Sequence, residues 1–330
     1  MRFVARKLGF YLAAAWVALT INFFLPRLMP GNPVEVVIAR MQQSGPTPPG
    51  EAAALSKLLG LGSGNVFQRY WQYLDSLSHL RLGLSVSHFP EPVSSEIASS
   101  ILWTLLLVGV ATIISFVLGI ALGAVAGWKR GSRLDALVPA TTLLTAMPYF
   151  WVGLILVYVF ATNVVHVLPA SNGYDTAAGL TVGFNGPFIA SAVQHATLPA
   201  LSIIVTAVGG WLLGMRNMMV STLSEDYVVA AEAKGLRPSR IMIGYAARNA
   251  VLPSISGFAI SLGFVVSGAI AMEYVFNYPG IGYMLVTAVS NDDYPLMQGI
   301  FLVITLAVLG ANLIVDLFQG YIDPRTRIAR

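Results

Sequence analysis

No cysteine occurs in the 330-residue chain, so disulfides and thiolate metal ligands are excluded. Histidine is scarce, and His79, His88, His166 and His195 fall in no metal-ligand spacing. Charge is scarce too: Asp, Glu, Lys and Arg make up 10% of the residues, against about 25% in a soluble domain. No G-x-x-x-x-G-K-[ST] sequence is present, which leaves the chain without a recognisable means of binding ATP. The net charge of +4 includes no basic run interleaved with aromatics, so it does not point to nucleic acid.

Apolar residues are abundant, at 56% with a mean hydropathy of +0.73, as in an integral membrane protein. A spanning helix needs about 20 apolar residues to cross about 30 Å of hydrocarbon. Six stretches qualify, at roughly 9–29, 101–127, 136–165, 196–215, 252–275 and 297–318. The first follows Arg2, Arg6 and Lys7 but exceeds the apolar run of a signal peptide and lacks a convincing cleavage site, so it reads as a retained anchor. Cations gather in alternate connections: Lys129, Arg130 and Arg133; Arg216, Lys234, Arg237, Arg240 and Arg248; and Arg325, Arg327 and Arg330 in the tail. Loops 166–195 and 276–296 hold none. Because short cytoplasmic loops retain cations, both termini are expected in the cytosol.

The segment 30–100 is long for a connection, begins with breakers ("SGPTPPG", 44–50) and continues with "NVFQRYWQYLDSL", which sets Phe67, Tyr70, Trp71, Leu74 and Leu77 on one helical face. Such a helix suits the membrane surface, the bundle, or a docking surface for an external protein. Within the spans, Ser115, Gly119, Gly123 and Gly127 recur every four residues, a pattern that favours close helix packing. Pro148, Pro199 and Pro253 fall in or at the ends of spans as kinks or hinges. Glu273 and Asp316, near span ends, are expected to snorkel or to make helix-end hydrogen bonds; together with Pro148 they are candidates for the translocation path or its gate. No Ser/His/Asp set or carboxylate pair can be assembled on one side of the membrane, so no catalytic residue is assigned.

One hydrophilic interruption stands apart: "EDYVVAAEAKGLRPSR", from Glu225 to Arg240. It predicts a helix of about two turns with Val228, Ala231 and Val229 able to share a face, Ser224 as N-cap, acidic residues in the first turn and Gly235 as a left-handed C-terminal cap. So short a helix is marginal alone, and either packs against something or lies as a solvated connector.

"DYVVAAEAKGL…RNAVLP" resembles the cytoplasmic EAA loop of ABC-importer permeases in the dipeptide/oligopeptide/nickel branch. The likeness extends through "GLSVS…PV", "MPYFWVG", "LPASNGY", "HATLPAL", "EYVFNYPGIG", "DDYPLMQG" and "NLIVDLFQGYIDPR" in order. The resemblance implies an all-α type I permease of six spans, the first, B-type permease of a pair, with a second homologous permease, one or two ABC ATPase subunits and an extracytoplasmic substrate-binding protein as partners. ATP and Mg would be held by the ATPases and no cofactor by this chain. It places ATPase coupling on Tyr227, Ala230, Ala231, Glu232, Lys234 and Gly235. Peptides are the implied cargo; nickel, glutathione and oligosaccharides occur in the same family, and an ion-coupled carrier or a non-transporting scaffold are the rival readings. The implied organisation is a cytoplasmic N-terminus and first helix (1–30), an extracytoplasmic segment (31–100), a five-helix core (101–318) with its coupling loop (216–252), and a cytoplasmic tail (319–330). Two departures stand out: Val229 takes the place of the usual glutamate, and Asp292-Asp293-Tyr294-Pro295 replaces Arg-Asp-Tyr-Pro near the outer mouth.

Overall fold

The computed structural model describes residues 2–28, 65–265 and 269–322. The breaker-rich stretch 44–50 and the tail cations Arg325, Arg327 and Arg330 lie outside the described residues. Among the described residues no strand forms, and Leu84 and Pro92 make an isolated antiparallel bridge. By contacts the chain divides into two compact units.

The first unit contains α1 (Arg2–Leu28), α2 (Val66–Ser78), the start of α3 (Val93–Trp128), α10 (Ile281–Ser290) and α11 (Tyr294–Ile322). α1 and α11 run antiparallel. Lys7 pairs with Asp316 near one end, and Asn22 exchanges hydrogen bonds with Gln298 near the other: its Nδ2 donates to the Gln298 carbonyl (2.9 Å), and Gln298 Nε2 donates to the Asn22 carbonyl (3.0 Å). Val93, Ile97, Ile281, Leu285, Tyr294, Met297 and Ile300 form the unit's core. Thr104 Oγ1 accepts the N–H of Ile281 (2.8 Å) and so supplies a partner to one of the unpaired donors at the start of α10.

The second unit contains the remainder of α3, α4 (Val138–Ala146), α5 (Tyr149–Val157), α6 (Gly186–Thr222), α7 (Asp226–Ala233), α8 (Leu252–Phe264) and most of α9 (Ile270–Val275). At 1.5 Å per residue the 37-residue α6 is about 55 Å long, well beyond the hydrocarbon core, so it carries chain clear of the membrane. It starts where Asn185 accepts the N–H of Phe188 (3.0 Å) and Pro187 occupies the first turn. The small-residue row packs α3 on α6: side chains added at Gly119, Gly123 and Gly127 would overlap Trp211, Leu212, Met215, Arg216 and Met219.

Among the described residues four helices are long and apolar enough to span, five if the bent pair of arms 133–146 and 149–163 counts as one. The continuous span expected at 136–165 is instead broken by 95° at Met147-Pro148. Met147 is extended (φ −80°, ψ 135°), as a residue before proline prefers, and α4 stops there. The run 252–275 is likewise not one helix, since α8 ends at Phe264 and α9 begins at Ile270. The three prolines therefore differ. Pro148 sits at the break, Pro199 is buried inside α6, and Pro253 lies in the first turn of α8, where its missing N–H has no helical partner to lose.

Candidate functional site

The charged interruption folds as expected in outline. α7 runs Asp226–Ala233 and ends in a Schellman turn: Gly235 is left-handed (φ +70°), its N–H donates to the Glu232 carbonyl (2.8 Å), and the Leu236 N–H donates to the Ala231 carbonyl (3.3 Å). The start differs. Glu225 is the N-cap residue, and Ser224 instead donates its hydroxyl backward to the Ser221 carbonyl (2.8 Å), which removes it from the capping position.

α7 is not a solvated connector on all sides. Val228 and Ala231 are buried with Ile241, and Trp128, Leu223, Leu236 and Tyr245 close around them. Four features make this seat: the end of α3, the end of α6, the Schellman turn, and the π-helical segment Ile241–Ala247. The floor beside it is tied by ions and hydrogen bonds. Arg216 Nε meets Asp135 Oδ1 (2.9 Å), Asp135 Oδ2 accepts the Gly131 N–H (2.9 Å), and Arg130 donates to the Val220 carbonyl (2.8 Å).

Val228 and Ala231 share a face, as their spacing suggests, and it is turned into the chain, whereas Val229 lies off it. Tyr227, Val229, Ala230, Glu232, Lys234 and Gly235 are exposed, whereas Ala231 lies against its own chain. Tyr227 and Val229 are large apolar groups left uncovered beside a small alanine, with the acids Asp226 and Glu232 and the cation Lys234 exposed around them. Such a surface can take a close-fitting protein groove, with aromatic and aliphatic anchors in the middle and a charged rim.

Of the two expectations for the membrane acids, snorkelling or a helix-end hydrogen bond, snorkelling is not what the structure shows for either. Glu273 on α9 is fully buried, and its carbonyl accepts the Tyr278 N–H (2.8 Å). Burial, helped by the Glu273 charge, pushes the Tyr278 phenol above its usual value. The neighbouring turn is held tightly: Asn172 donates its N–H to the Phe276 carbonyl (2.8 Å), and Gly153 leaves room for the Phe276 ring and Met272. Asp316 is drawn into an ion pair with Lys7 (2.7 Å) and accepts the Tyr11 hydroxyl (2.8 Å), so it binds helix to helix instead of reaching for an interface. Glu273 and Pro148 belong to the second unit and Asp316 to the first.

Asp293, the second acid of the unusual Asp-Asp-Tyr-Pro run, is fully buried and was not singled out by the sequence. Its Oδ2 accepts Ser85 Oγ–H (2.6 Å) and the Ser87 N–H (2.7 Å), while Oδ1 accepts the Leu296 N–H (3.1 Å) at the start of α11. The motif "GLSVS" is thereby fastened to the first turn of α11. An Asp followed three residues later by an apolar helix position was the legible signal of an N-cap.

A chain whose helices are apolar enough to cross a membrane several times, and which seats a capped helix on an apolar cluster with its other face uncovered, has the make-up of a multi-pass membrane component. Residues 119–328 match the family model described as the binding-protein-dependent transport system inner membrane component, and the chain belongs to that family. It is 34% identical to the di/tripeptide transport system permease protein of Pseudomonas aeruginosa (strain UCBPP-PA14), over the full length of both. It is 32% identical to the dipeptide transport system permease protein of Escherichia coli (strain K12), over 99% of each, and 27% identical to the oligopeptide transport system permease protein of Bacillus subtilis (strain 168), over 92% of each.

Proposed function

We propose that the chain is the transmembrane permease subunit of an ATP-driven ABC importer and lines the translocation pathway for di- or oligopeptides, working by alternating access. It pairs with a second homologous permease, is driven by one or two cytoplasmic ABC ATPase subunits that hold ATP and Mg, and receives cargo from an extracytoplasmic binding protein. The chain itself binds no cofactor and performs no hydrolysis. Six spans with both termini cytoplasmic are proposed, with residues 1–30, 31–100, 101–318 and 319–330 as N-terminus and anchor, outer segment, core and tail. The antiparallel course of α1 and α11 and the cations of the 128–135 and 216–251 connections support this sidedness.

The observation that carries the reading is the uncovered face of α7, with Tyr227, Val229 and Ala230 exposed on a helix whose opposite side is locked into the chain. In this reading the ATPase grips Tyr227, Val229, Ala230, Glu232 and Lys234. Ala231 and Gly235 set the pose of the helix, and closure of the ATPases pushes α7 and, through its seat, the ends of α3 and α6. Pro148 and Glu273 are the proposed gate elements. The test is retention of the ATPase on an affinity-tagged complex. Ala230→Arg is expected to leave membrane levels unchanged while retention and peptide uptake fall together; unchanged retention and uptake would show that this face is not the contact.

A further inference from the structure

Among the described residues nothing covers the exposed aromatics Phe67 and Trp71 of α2. α2 opens with a capping box between Asn65 and Gln68, which fixes its first turn independently of tertiary packing. One side rests on the outer end of α1: Thr20 Oγ1 and the Tyr70 hydroxyl are 2.7 Å apart, Asn22 Nδ2 donates to the Tyr73 hydroxyl (3.2 Å), and Phe23 packs edge-on against Tyr70 with ring centroids 5.1 Å apart. A second side, turned about 110° from the first, carries Phe67 and Trp71, which are 69% and 58% exposed and stack edge-to-face at 6.2 Å. Beyond them the helix turns polar with Gln72 and Asp75.

We infer that Phe67 and Trp71 lie in the lipid bilayer, and that α2 is an interfacial helix embedded in the outer boundary between headgroups and acyl chains. Depth fixes the occupant. The apolar span of α1 runs Ala5–Leu25, so Thr20 lies about 7 Å inside its outer end at 1.5 Å per residue. The Tyr70 hydroxyl therefore reaches that depth, and amphipathic interfacial helices bury their apolar face by about 5–10 Å. Continuity points the same way. Trp16, Val17, Ile21 and Phe24 on α1 are exposed, and a chain of ring contacts from Phe24 through the buried Phe23 and half-buried Tyr70 to the exposed Trp71 and Phe67 holds the two exposed groups of side chains at one end of α1. Aromatic side chains with apolar bodies are enriched at this level of a membrane. The inference rests on α1 crossing the bilayer and not on the nature of the cargo.

The absence of native cysteine allows a clean test. Single variants Phe67→Cys, Trp71→Cys, Gln72→Cys and Asp75→Cys are spin-labelled in the full transporter, in nanodiscs of phosphatidylethanolamine and phosphatidylglycerol, and relaxation by oxygen is compared with relaxation by a water-soluble nickel chelate. Labels at 67 and 71 should show an oxygen-to-nickel accessibility ratio several-fold above those at 72 and 75. Equal ratios at all four sites would place the face in water and overturn the inference. Protection of 67 and 71 from both agents, or their immobilisation on adding the binding protein, would make the face a protein contact and overturn it as well. Membrane level and ATP-driven uptake of each labelled variant confirm that the helix is read in the folded protein, and Leu74→Cys, about 20° from Phe67 around the helix, supplies a further site should either aromatic replacement fail to assemble.

Discussion

At the scale of single residues, neighbours in sequence have opposite duties. Ala230 and Ala231 differ by one turn position, yet one faces out and the other is 2% exposed against Ile241 and Trp128. Ala231→Arg is therefore expected to disturb the α7 seat itself, at about 1–3 kcal/mol, and to lower the melting temperature of the purified protein, whereas Ala230→Arg leaves it unchanged. Gly235→Val strains a position at φ +70° and should cost about 1 kcal/mol in the same assay. Asp293 is a stronger case. Asp293→Ala deletes the acceptor for Ser85, Ser87 and Leu296 in a buried site, and a loss of at least about 2 kcal/mol is expected, visible as a drop in melting temperature; an unchanged value would show that these bonds are readily replaced. The Gly235 cap was legible because a glycine after a short alanine-rich helix has one cheap use. The burial of Ala231 was not, because alanine fits an exposed and a buried face equally well, and only the position of Trp128, about 100 residues earlier, decides between them.

At the scale of elements, hydrophobic length was a good guide to the presence of a membrane helix and a poor one to its course. The runs near 101–127, 196–215 and 297–318 fall inside helices that extend beyond them, since a helix continues into water as long as capping and contacts support it. The run 136–165 carried its break in plain view at Met147-Pro148, but a proline in an apolar run can kink, hinge or end a helix, and the sequence does not say which. Helix packing was more readable. Small residues at every fourth position of α3 meet α6 as their spacing suggests, and α6 has its own contact glycine: a side chain at Gly209 would overlap the Thr141 carbonyl of α4, while one at Gly210 would meet Thr145 at 3.9 Å. Both replacements by alanine gain helix propensity, so their difference isolates packing. Gly210→Ala is expected to be neutral or mildly stabilising and Gly209→Ala to destabilise by about 1–3 kcal/mol in thermal unfolding of the solubilised protein. Equal effects would mean that α4 can move away from α6 without cost.

At the scale of the molecule, polar pairs between distant parts of the chain set which ends lie together. Lys7 and Asp316 join the first and last helices, and neither residue's role could be read alone, since a cation before a span and an acid near the end of one each have ordinary interfacial explanations. Lys7→Met and Asp316→Asn should each lower the melting temperature by the equivalent of about 1 kcal/mol, and the exchange Lys7→Asp with Asp316→Lys should recover part of the loss; no recovery would show that the site is specific to more than charge. In the proposed function the buried Glu273 and the outward face of α7 act within an assembly that moves. The most direct test is therefore transport itself: uptake of a labelled dipeptide into vesicles carrying this chain with its partner permease and ATPases, with the binding protein outside. The account predicts uptake that requires ATP inside, survives collapse of the proton gradient, and is lost when the ATPases are omitted; uptake that persists without ATPases or vanishes with the proton gradient would contradict it.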